Sequence, residues 1–202
     1  MRWMRGWRGA VLAAPLLLLA ACQSTPDSRL YTLAMVPPSG SVQATRTTPQ
    51  VLALGSLDLP MLIDRPQIVR RIDGNRVEAL EFDRWAEPLA DGLRSTLAAD
   101  LAARLPGMTV LPVAGASVAE GTAVLAVTIL RFDADRAGRV VLDAQWSLSI
   151  DMAGGRTAGR RIGPSRETVE IPAADAEPDT LVRAMSQAVA AFTDRIATGV
   201  RR

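Results

Sequence analysis

The strongest structural pattern in this 202-residue chain is a row of large apolar residues that recur every four positions. The row consists of Trp85, Leu89, Leu93, Leu97, Leu101 and Leu105. Side chains four residues apart share one face of an α-helix, so the spacing predicts an amphipathic helix with a buried face. Pro88 is tolerated only in a first helical turn, which predicts a helix start near residues 84–87, and Pro106-Gly107 predicts its end.

The other side of this predicted helix is polar, with Glu87, Asp91, Ser95, Asp100 and Arg104. Asp100 and Arg104 have the i, i+4 spacing that favours an ion pair, and we expect both on the solvated face. Trp85 heads the apolar row and is interpreted as a core anchor, with an interface position as the alternative. Leu89, Leu93 and Leu97 are expected to form the core with it.

Segments typical of β-strands lie on both sides of this helix. Four precede it, at 29–36, 51–57, 68–72 and 77–82, and Asp73-Gly74-Asn75 predicts a hairpin turn between the last two. Three follow it at 109–113, 123–130 and 140–152, and a fourth ends near Ile171, with Gly154-Gly155 as the turn before it. The 123–130 segment is almost continuously apolar, as expected of a strand covered on both faces. The 140–152 segment alternates, with Trp146 on its apolar side as a second core anchor.

A second amphipathic helix is predicted to begin at Pro178. Its apolar stripe consists of Leu181, Met185, Ala188, Phe192 and Ile196. The element order is therefore β-β-β-β-α-β-β-β-β-α. This order predicts an α+β fold with a mostly antiparallel or mixed sheet and two helices on one face. We expect one domain over residues 29–202.

The amino-terminal segment has the parts of a bacterial lipoprotein signal. Three arginines precede the apolar run Ala10–Ala21, and Leu19-Ala20-Ala21 stands before Cys22, the only cysteine. Twelve helical residues cover ~18 Å, too short for a hydrocarbon core of ~30 Å. We interpret residues 1–21 as a cleaved signal peptide, Cys22 as the acylated residue and residues 22–28 as a tether. A plain signal peptide would leave a free thiol in an oxidising compartment, which is unusual.

Composition argues against several classes of function. The chain has no histidine, and acylation would remove its one thiol, so the usual nucleophilic triads and zinc sites lose their residues. Beyond residue 21 the chain carries 20 basic and 21 acidic residues, which gives no electrostatic case for nucleic acid. We expect a protein that is not an enzyme and that holds neither a cofactor nor a metal.

Several motifs resemble those of the ABC-type transport auxiliary lipoproteins, the PqiC-like and YmbA-like proteins of Gram-negative envelopes. The motifs are the lipobox, Tyr31-Thr32-Leu33, Asp58-Leu59-Pro60, Asp64-Arg65-Pro66-Gln67, Arg84-Trp85-Ala86-Glu87-Pro88-Leu89 and the Phe132–Gly138 segment. The resemblance is specific over residues 58–105 and diffuse beyond about 115. Met61-Leu62 after Pro60 departs slightly from the family's more usual Pro-x-Tyr-Leu.

The resemblance implies a lipid-anchored protein that faces the periplasm from the outer membrane. Gln23 after the lipidated cysteine fits this, because aspartate there is the usual inner-membrane retention signal. It further implies a non-catalytic subunit of an MCE (mammalian cell entry) phospholipid transport system that supports outer-membrane integrity. The implied partners are an MCE-domain protein and outer-membrane lipid, and some family members assemble into homo-oligomeric rings.

Asp64, Arg65, Pro66 and Gln67 have two interpretations. In one, Pro66 and Asp64 shape a turn and Arg65 is merely solvated. In the other, the four residues form an exposed loop that docks on a partner subunit, with Arg65 pairing to a carboxylate or lipid phosphate.

The alternative function is that of a periplasmic carrier holding a lipid between helix and sheet. A carrier needs hundreds of cubic ångströms of open apolar volume, whereas a fully packed core would leave none. A cavity between helix and sheet is therefore the feature that separates the two hypotheses.

Overall fold

A computed structural model of the chain describes residues 26–40, 50–112, 121–150 and 160–201. The elements are β1 Arg29–Tyr31, β2 Val51–Asp58, β3 Gln67–Arg71, β4 Val77–Trp85, α1 Leu89–Arg104, β5 Thr109–Leu111, β6 Ala123–Asp135, β7 Arg139–Ile150, β8 Arg160–Pro172 and α2 Pro178–Val200. The predicted element order and the α+β class are confirmed. Cys22 and the predicted turn at Gly154-Gly155 lie outside the described residues.

All eight strands belong to one mixed sheet with β6 at its centre. One edge of β6 pairs in parallel with β2 and β3, and its other edge pairs antiparallel with β7 along almost its whole length. Outside these strands lie β5 beside β2, β4 and β1 beside β3, and β8 beside β7. The hairpin predicted between β3 and β4 is therefore confirmed.

The two helices cover one face of this sheet. α1 packs on β2 and β5, α2 packs on β7 and β8, and the helices contact each other. The leucine row of α1 is buried, as is the predicted stripe of α2, and both belong to one core with Trp85 and Trp146. Burying this much apolar surface on two facing layers is what stabilises the fold.

The helix begins later than the sequence predicts. Trp85 ends β4, where it pairs with Tyr31 of β1, and α1 starts only at Leu89 with Pro88 as its N-cap. A proline disfavours the α conformation in the residue before it, so Glu87 is kept out of the helix. Trp85 therefore reaches the core from a strand rather than from the head of the helical row.

Strand β6 also differs from its prediction. It extends to Asp135, and its first half alternates between buried and exposed or half-buried residues. Only one face of this half lies under the helices, so it is not covered on both sides. Strand β1 ends at Tyr31 and is therefore shorter than the strand predicted at 29–36.

Residues 32–36, which we name the strap, run from β1 across the helices. Ala34 N–H donates to Ser186 Oγ of α2 at 3.2 Å, and Val36 N–H donates to Asp100 Oδ1 of α1 at 3.0 Å. Arg104 Nη1 donates a hydrogen bond to Val36 O at 3.0 Å. The strap thus uses its backbone to tie both helices together.

The ion pair predicted on the surface of α1 is buried. Asp100 and Arg104 are 0% and 3% exposed, with Arg104 Nη1 3.2 Å from Asp100 Oδ1. The guanidinium also donates from Nε to Asp194 Oδ1 of α2 at 2.6 Å. The solvated-face prediction fails here because α2 and the strap cover the last turn of α1, which the pattern of α1 alone does not reveal.

Burial raises the pKa of Asp100 to about 6, and the Val36 N–H and Arg104 oppose this shift only in part. Its Oδ2 atom has no hydrogen-bond partner among the described residues. Because the folded state binds a proton more tightly than the unfolded chain, where the pKa is near 3.8, this group destabilises the fold above pH 6. The contribution of Asp100 to the free energy of unfolding should therefore rise as the pH falls from 7 towards 4.

We predict that Asp100→Asn removes this pH dependence. The whole shift corresponds to at most about 3 kcal/mol, of which about 1 kcal/mol, or a few degrees in Tm, falls between pH 7 and pH 5. The measurement is the difference between the Tm values at pH 5 and pH 7 for the wild type and the variant. Asp91→Asn, on an exposed carboxylate of the same helix, is the control and should keep the wild-type difference. Equal differences in all three proteins would contradict the prediction.

Candidate functional site

The loop that carries Asp64 to Pro66 is held by a tight turn. The N–H groups of Ile63 and Asp64 both donate to Pro60 O, at 3.0 and 3.2 Å. Ile63 is buried and fixes the turn to the core, while Asp64, Arg65 and Pro66 are exposed. Pro60 and Pro66 restrict φ at both ends of the loop, which limits its conformations.

Strand pairing brings this loop to the carboxyl end of β4. Pro66 O accepts a hydrogen bond from Trp85 N–H at 2.7 Å, and Gln67 pairs with Arg84. Tyr31 O accepts from Ala86 N–H at 2.8 Å on the other side of β4. The segment after Trp85 is therefore fixed between β1 and the loop before it turns into α1.

A cavity of about 390 Å³ opens where these two segments meet. It is lined by Asp64, Arg65, Pro66, Trp85, Ala86, Glu87, Pro88 and Leu89. We name it the loop–helix cavity. Its volume lies within the roughly 300–1,000 Å³ range of small recognition sites. Residues of the Asp64–Gln67 and Arg84–Leu89 motifs, which are separate in the sequence, thus line one cavity.

The loop wall of the loop–helix cavity carries Asp64 and Arg65, and the helix wall carries Glu87. Arg65 Nε donates to Gln67 Oε1 at 3.3 Å, and no carboxylate among the described residues lies within ion-pairing distance of its guanidinium. Glu87 lies over the first turn of α1, where a β-carbon on Gly92 would stand 3.3 Å from Glu87 Oε1. A carboxylate at a helix N-terminus is electrostatically favourable, so Glu87 is suited to stay there. The Arg65 wall is the one available to an incoming acceptor.

Five of the predicted residues line this cavity, namely Asp64, Arg65, Pro66, Trp85 and Leu89. Gln67 supports Arg65 from the side rather than lining the cavity. Leu93 and Leu97 lie in the core, each 1% exposed. The sequence pattern did not indicate that Glu87 and Pro88 line a cavity, because the predicted helix included both residues. The bias that Pro88 imposes on its predecessor is the signal that would have found them.

A second cavity, of about 680 Å³, lies between β8 and the end of α2. It is lined by Trp146, Ile162, Gly163, Pro164, Ser165, Glu167, Asp194, Arg195, Thr198 and Gly199. Its charged groups are engaged, since Arg195 contacts Glu167 Oε2 at 2.8 Å and Asp194 holds Arg104. Trp146 is 4% exposed and packs against Gly199, where any side chain would collide with the indole.

The Phe132–Gly138 motif has a structural role at the β6–β7 hairpin. Phe132 is fully buried, and Gly138 has a φ of +80° in the turn. A β-carbon on Gly138 would lie 2.7 Å from Asp175 O, so glycine is required both for conformation and for space. Within the described part of the chain, no group of three or more potential metal ligands comes together. No helix among these residues is long and apolar enough to cross a membrane.

Comparison with known proteins gives the class to which this fold belongs. The family model described as "ABC-type transport auxiliary lipoprotein component" matches residues 31–197, and the chain belongs to this family. It is 26% identical over 146 residues to the intermembrane transport lipoprotein PqiC of Escherichia coli, covering 72% of this chain and 75% of PqiC. PqiC of Shigella flexneri matches equally.

Two solved structures share the fold. A crystal structure of an uncharacterised protein superposes with a TM-score of 0.69 at 20% identity, covering 86% of this chain and 98% of the other. A protein from Xanthomonas campestris gives 0.58 at 19% identity, covering 85% and 93%. At these identities the likeness concerns the architecture alone.

Proposed function

We propose that this protein is a lipid-anchored subunit of an MCE-type phospholipid transport system, held at the outer membrane through Cys22 and facing the periplasm. It acts by docking on an MCE-domain protein and so supports outer-membrane integrity. Family membership supports the transport role. The homo-oligomeric ring that the resemblance implies is part of this proposal.

The observation that carries the docking proposal is the loop–helix cavity. It combines an anchored loop, a rigid helix start and a guanidinium without a carboxylate partner among the described residues. Preformed geometry lowers the entropic cost of association, and Arg is suited to bidentate pairing with carboxylate. A single carboxylate of the MCE protein is the group that Arg65 is suited to bind, because Asp64 and Glu87 also line the cavity and would repel a longer acidic run.

We predict that Arg65→Glu weakens capture of the MCE partner, because it replaces attraction by like-charge repulsion at the docking wall. Loss of at least tenfold in a pull-down or binding titration is expected. The thermal melt should stay nearly unchanged, because Arg65 is exposed and its side chain has one hydrogen bond among the described residues, to Gln67. A collapsed melt would make Arg65 structural and overturn its docking role.

Arg94→Glu is not a suitable control, since Arg94 Nη1 donates to Gly55 O at 3.0 Å. Arg183→Glu, on the exposed side of α2, is the matched charge reversal away from the cavity. It should leave partner capture intact. Photo-crosslinking in cells from residue 65 then identifies the protein that is captured, and capture of no MCE-domain protein would contradict the proposal.

We predict that Cys22→Ser abolishes acylation and releases the protein from membrane pellets. One acyl chain holds a protein only marginally, whereas the three chains of a mature lipoprotein hold it durably. The measurement is membrane fractionation together with the intact mass of the wild type and the variant. Continued sedimentation of the variant with the outer membrane would contradict anchoring through this residue.

A second candidate function is favoured by the 680 Å³ cavity between α2 and β8. It lies where a carrier would hold a lipid, between helix and sheet, and Trp146, Ile162 and Pro164 give it an apolar part. Its paired charged residues favour the docking function over the carrier, because an acyl chain gains nothing from them.

Native mass spectrometry distinguishes the two functions. A carrier should retain phospholipid, and Thr198→Trp should lower the retained fraction several-fold by filling the cavity, since Thr198 is an exposed lining residue. Ser95→Trp, exposed on α1, is the control. Wild-type protein free of phospholipid would count against the carrier.

A further inference from the structure

Large apolar side chains are exposed on the β1–β4 side of the molecule. Leu30 is 67% exposed, Met61 92%, Leu62 43% and Phe82 37%. Single exposed apolar residues are normal on protein surfaces, but a group of them marks a contact surface. We name these four residues the outer patch.

Strand register places the patch members near one another. Leu30 pairs with Arg84, and Phe82 lies two residues before Arg84 in β4, so Leu30 and Phe82 are diagonal neighbours on one face. Arg84 pairs with Gln67 on its other side, where the loop bearing Met61 and Leu62 joins β3. The neighbours Tyr31 and Trp85 are buried in the core under the helices, so Leu30 and Phe82 lie on the opposite face of the sheet, and the loop with exposed Met61 and Leu62 adjoins this end of it.

The length of the tether decides what covers this patch. Six residues lie between Cys22 and Arg29, the first residue of β1, and the seven Cα–Cα steps span at most about 25 Å when fully extended. A domain of 181 residues has a radius of gyration of about 16 Å, hence a diameter of roughly 40 Å. The tether is shorter than the domain is wide, so the side that carries β1 must stay close to the membrane to which Cys22 is attached.

We propose that the outer patch rests on the phospholipid surface of the membrane that holds the acyl anchor. This inference depends on the Cys22 anchor of the proposed function. Leucine, methionine and phenylalanine side chains are suited to the boundary between headgroups and acyl chains. Two arginines beside the patch are already paired, Arg29 with Asp83 at 2.7 Å and Arg84 with Glu81 at 2.9 Å. The contact therefore relies mainly on apolar insertion, and Arg65 at its rim adds a charge that can meet a lipid phosphate.

The contact gives the tethered domain a fixed orientation. With the β1–β4 face on lipid, the two helices point away from the membrane. The loop–helix cavity then lies at the rim of the contact, because its Arg65 wall follows Met61 and Leu62 along one loop. A docking partner would meet the protein next to the lipid surface.

Environment-sensitive fluorophores on single introduced thiols test this contact. Leu30→Cys and Met61→Cys sit in the patch, and Ser95→Cys on the exposed side of α1 is the matched control. Because acylation occupies Cys22, each variant of the full acylated protein has one free thiol. The labelled proteins are reconstituted into phosphatidylethanolamine–phosphatidylglycerol vesicles with and without nitroxide-labelled lipid.

We predict blue-shifted emission and at least twofold quenching by nitroxide lipid at positions 30 and 61, with neither at position 95. Emission at 30 and 61 that matches position 95, in protein that still floats with the vesicles, overturns the contact and leaves the anchor intact. A blue shift without lipid quenching overturns it in favour of a protein neighbour or a second copy. Failure to float with the vesicles overturns the Cys22 anchor itself and the contact with it.

Discussion

The guanidinium of Arg104 joins the parts of this molecule that no sheet hydrogen bond connects. It reaches Asp100 within α1, Asp194 on α2 and Val36 O on the strap, while Arg201 donates to the Arg104 carbonyl at 3.0 Å. A buried arginine is tolerated only when such partners replace its hydration. The buried Arg104 therefore links the two helices to each other and to the strap.

Local periodicity was sufficient to predict the two layers. The four-residue row of α1 and the alternation of β7 each report which face of an element is buried, and both faces are buried as expected. The same periodicity could not predict that Asp100 and Arg104 are buried. Their burial comes from α2 and from Val36, which lies 64 residues before Asp100, so no pattern within α1 carries that information. Exposed ion pairs and buried ones have the same spacing in sequence.

The sequence predicted residues 64–67 as a candidate interface but not that they meet residues 85–89, and the reason is a register shift. Arg71, Arg70 and Val69 pair regularly with Val77, Glu78 and Ala79, and continuing that register would set Gln67 opposite Glu81. An irregularity between Gln67 and Val69 sets it opposite Arg84 instead. Only this shift brings Pro66 to Trp85 and closes the loop–helix cavity. The hairpin was predictable from its turn, but an irregularity inside one strand left no compositional signal.

Most arginines of the described residues already have a carboxylate partner, including the two that converge on buried Asp133. A surface neutralised in this way has little long-range attraction for charged macromolecules, so recognition must come from shape, apolar contact and the few charges that remain available. Arg65 is such a charge, and it stands on a loop anchored by Ile63 beside a rigid helix start. Under the proposed lipid anchor, the protein is confined to one membrane surface and needs less long-range steering. A small preformed cavity then selects the proposed partner at short range.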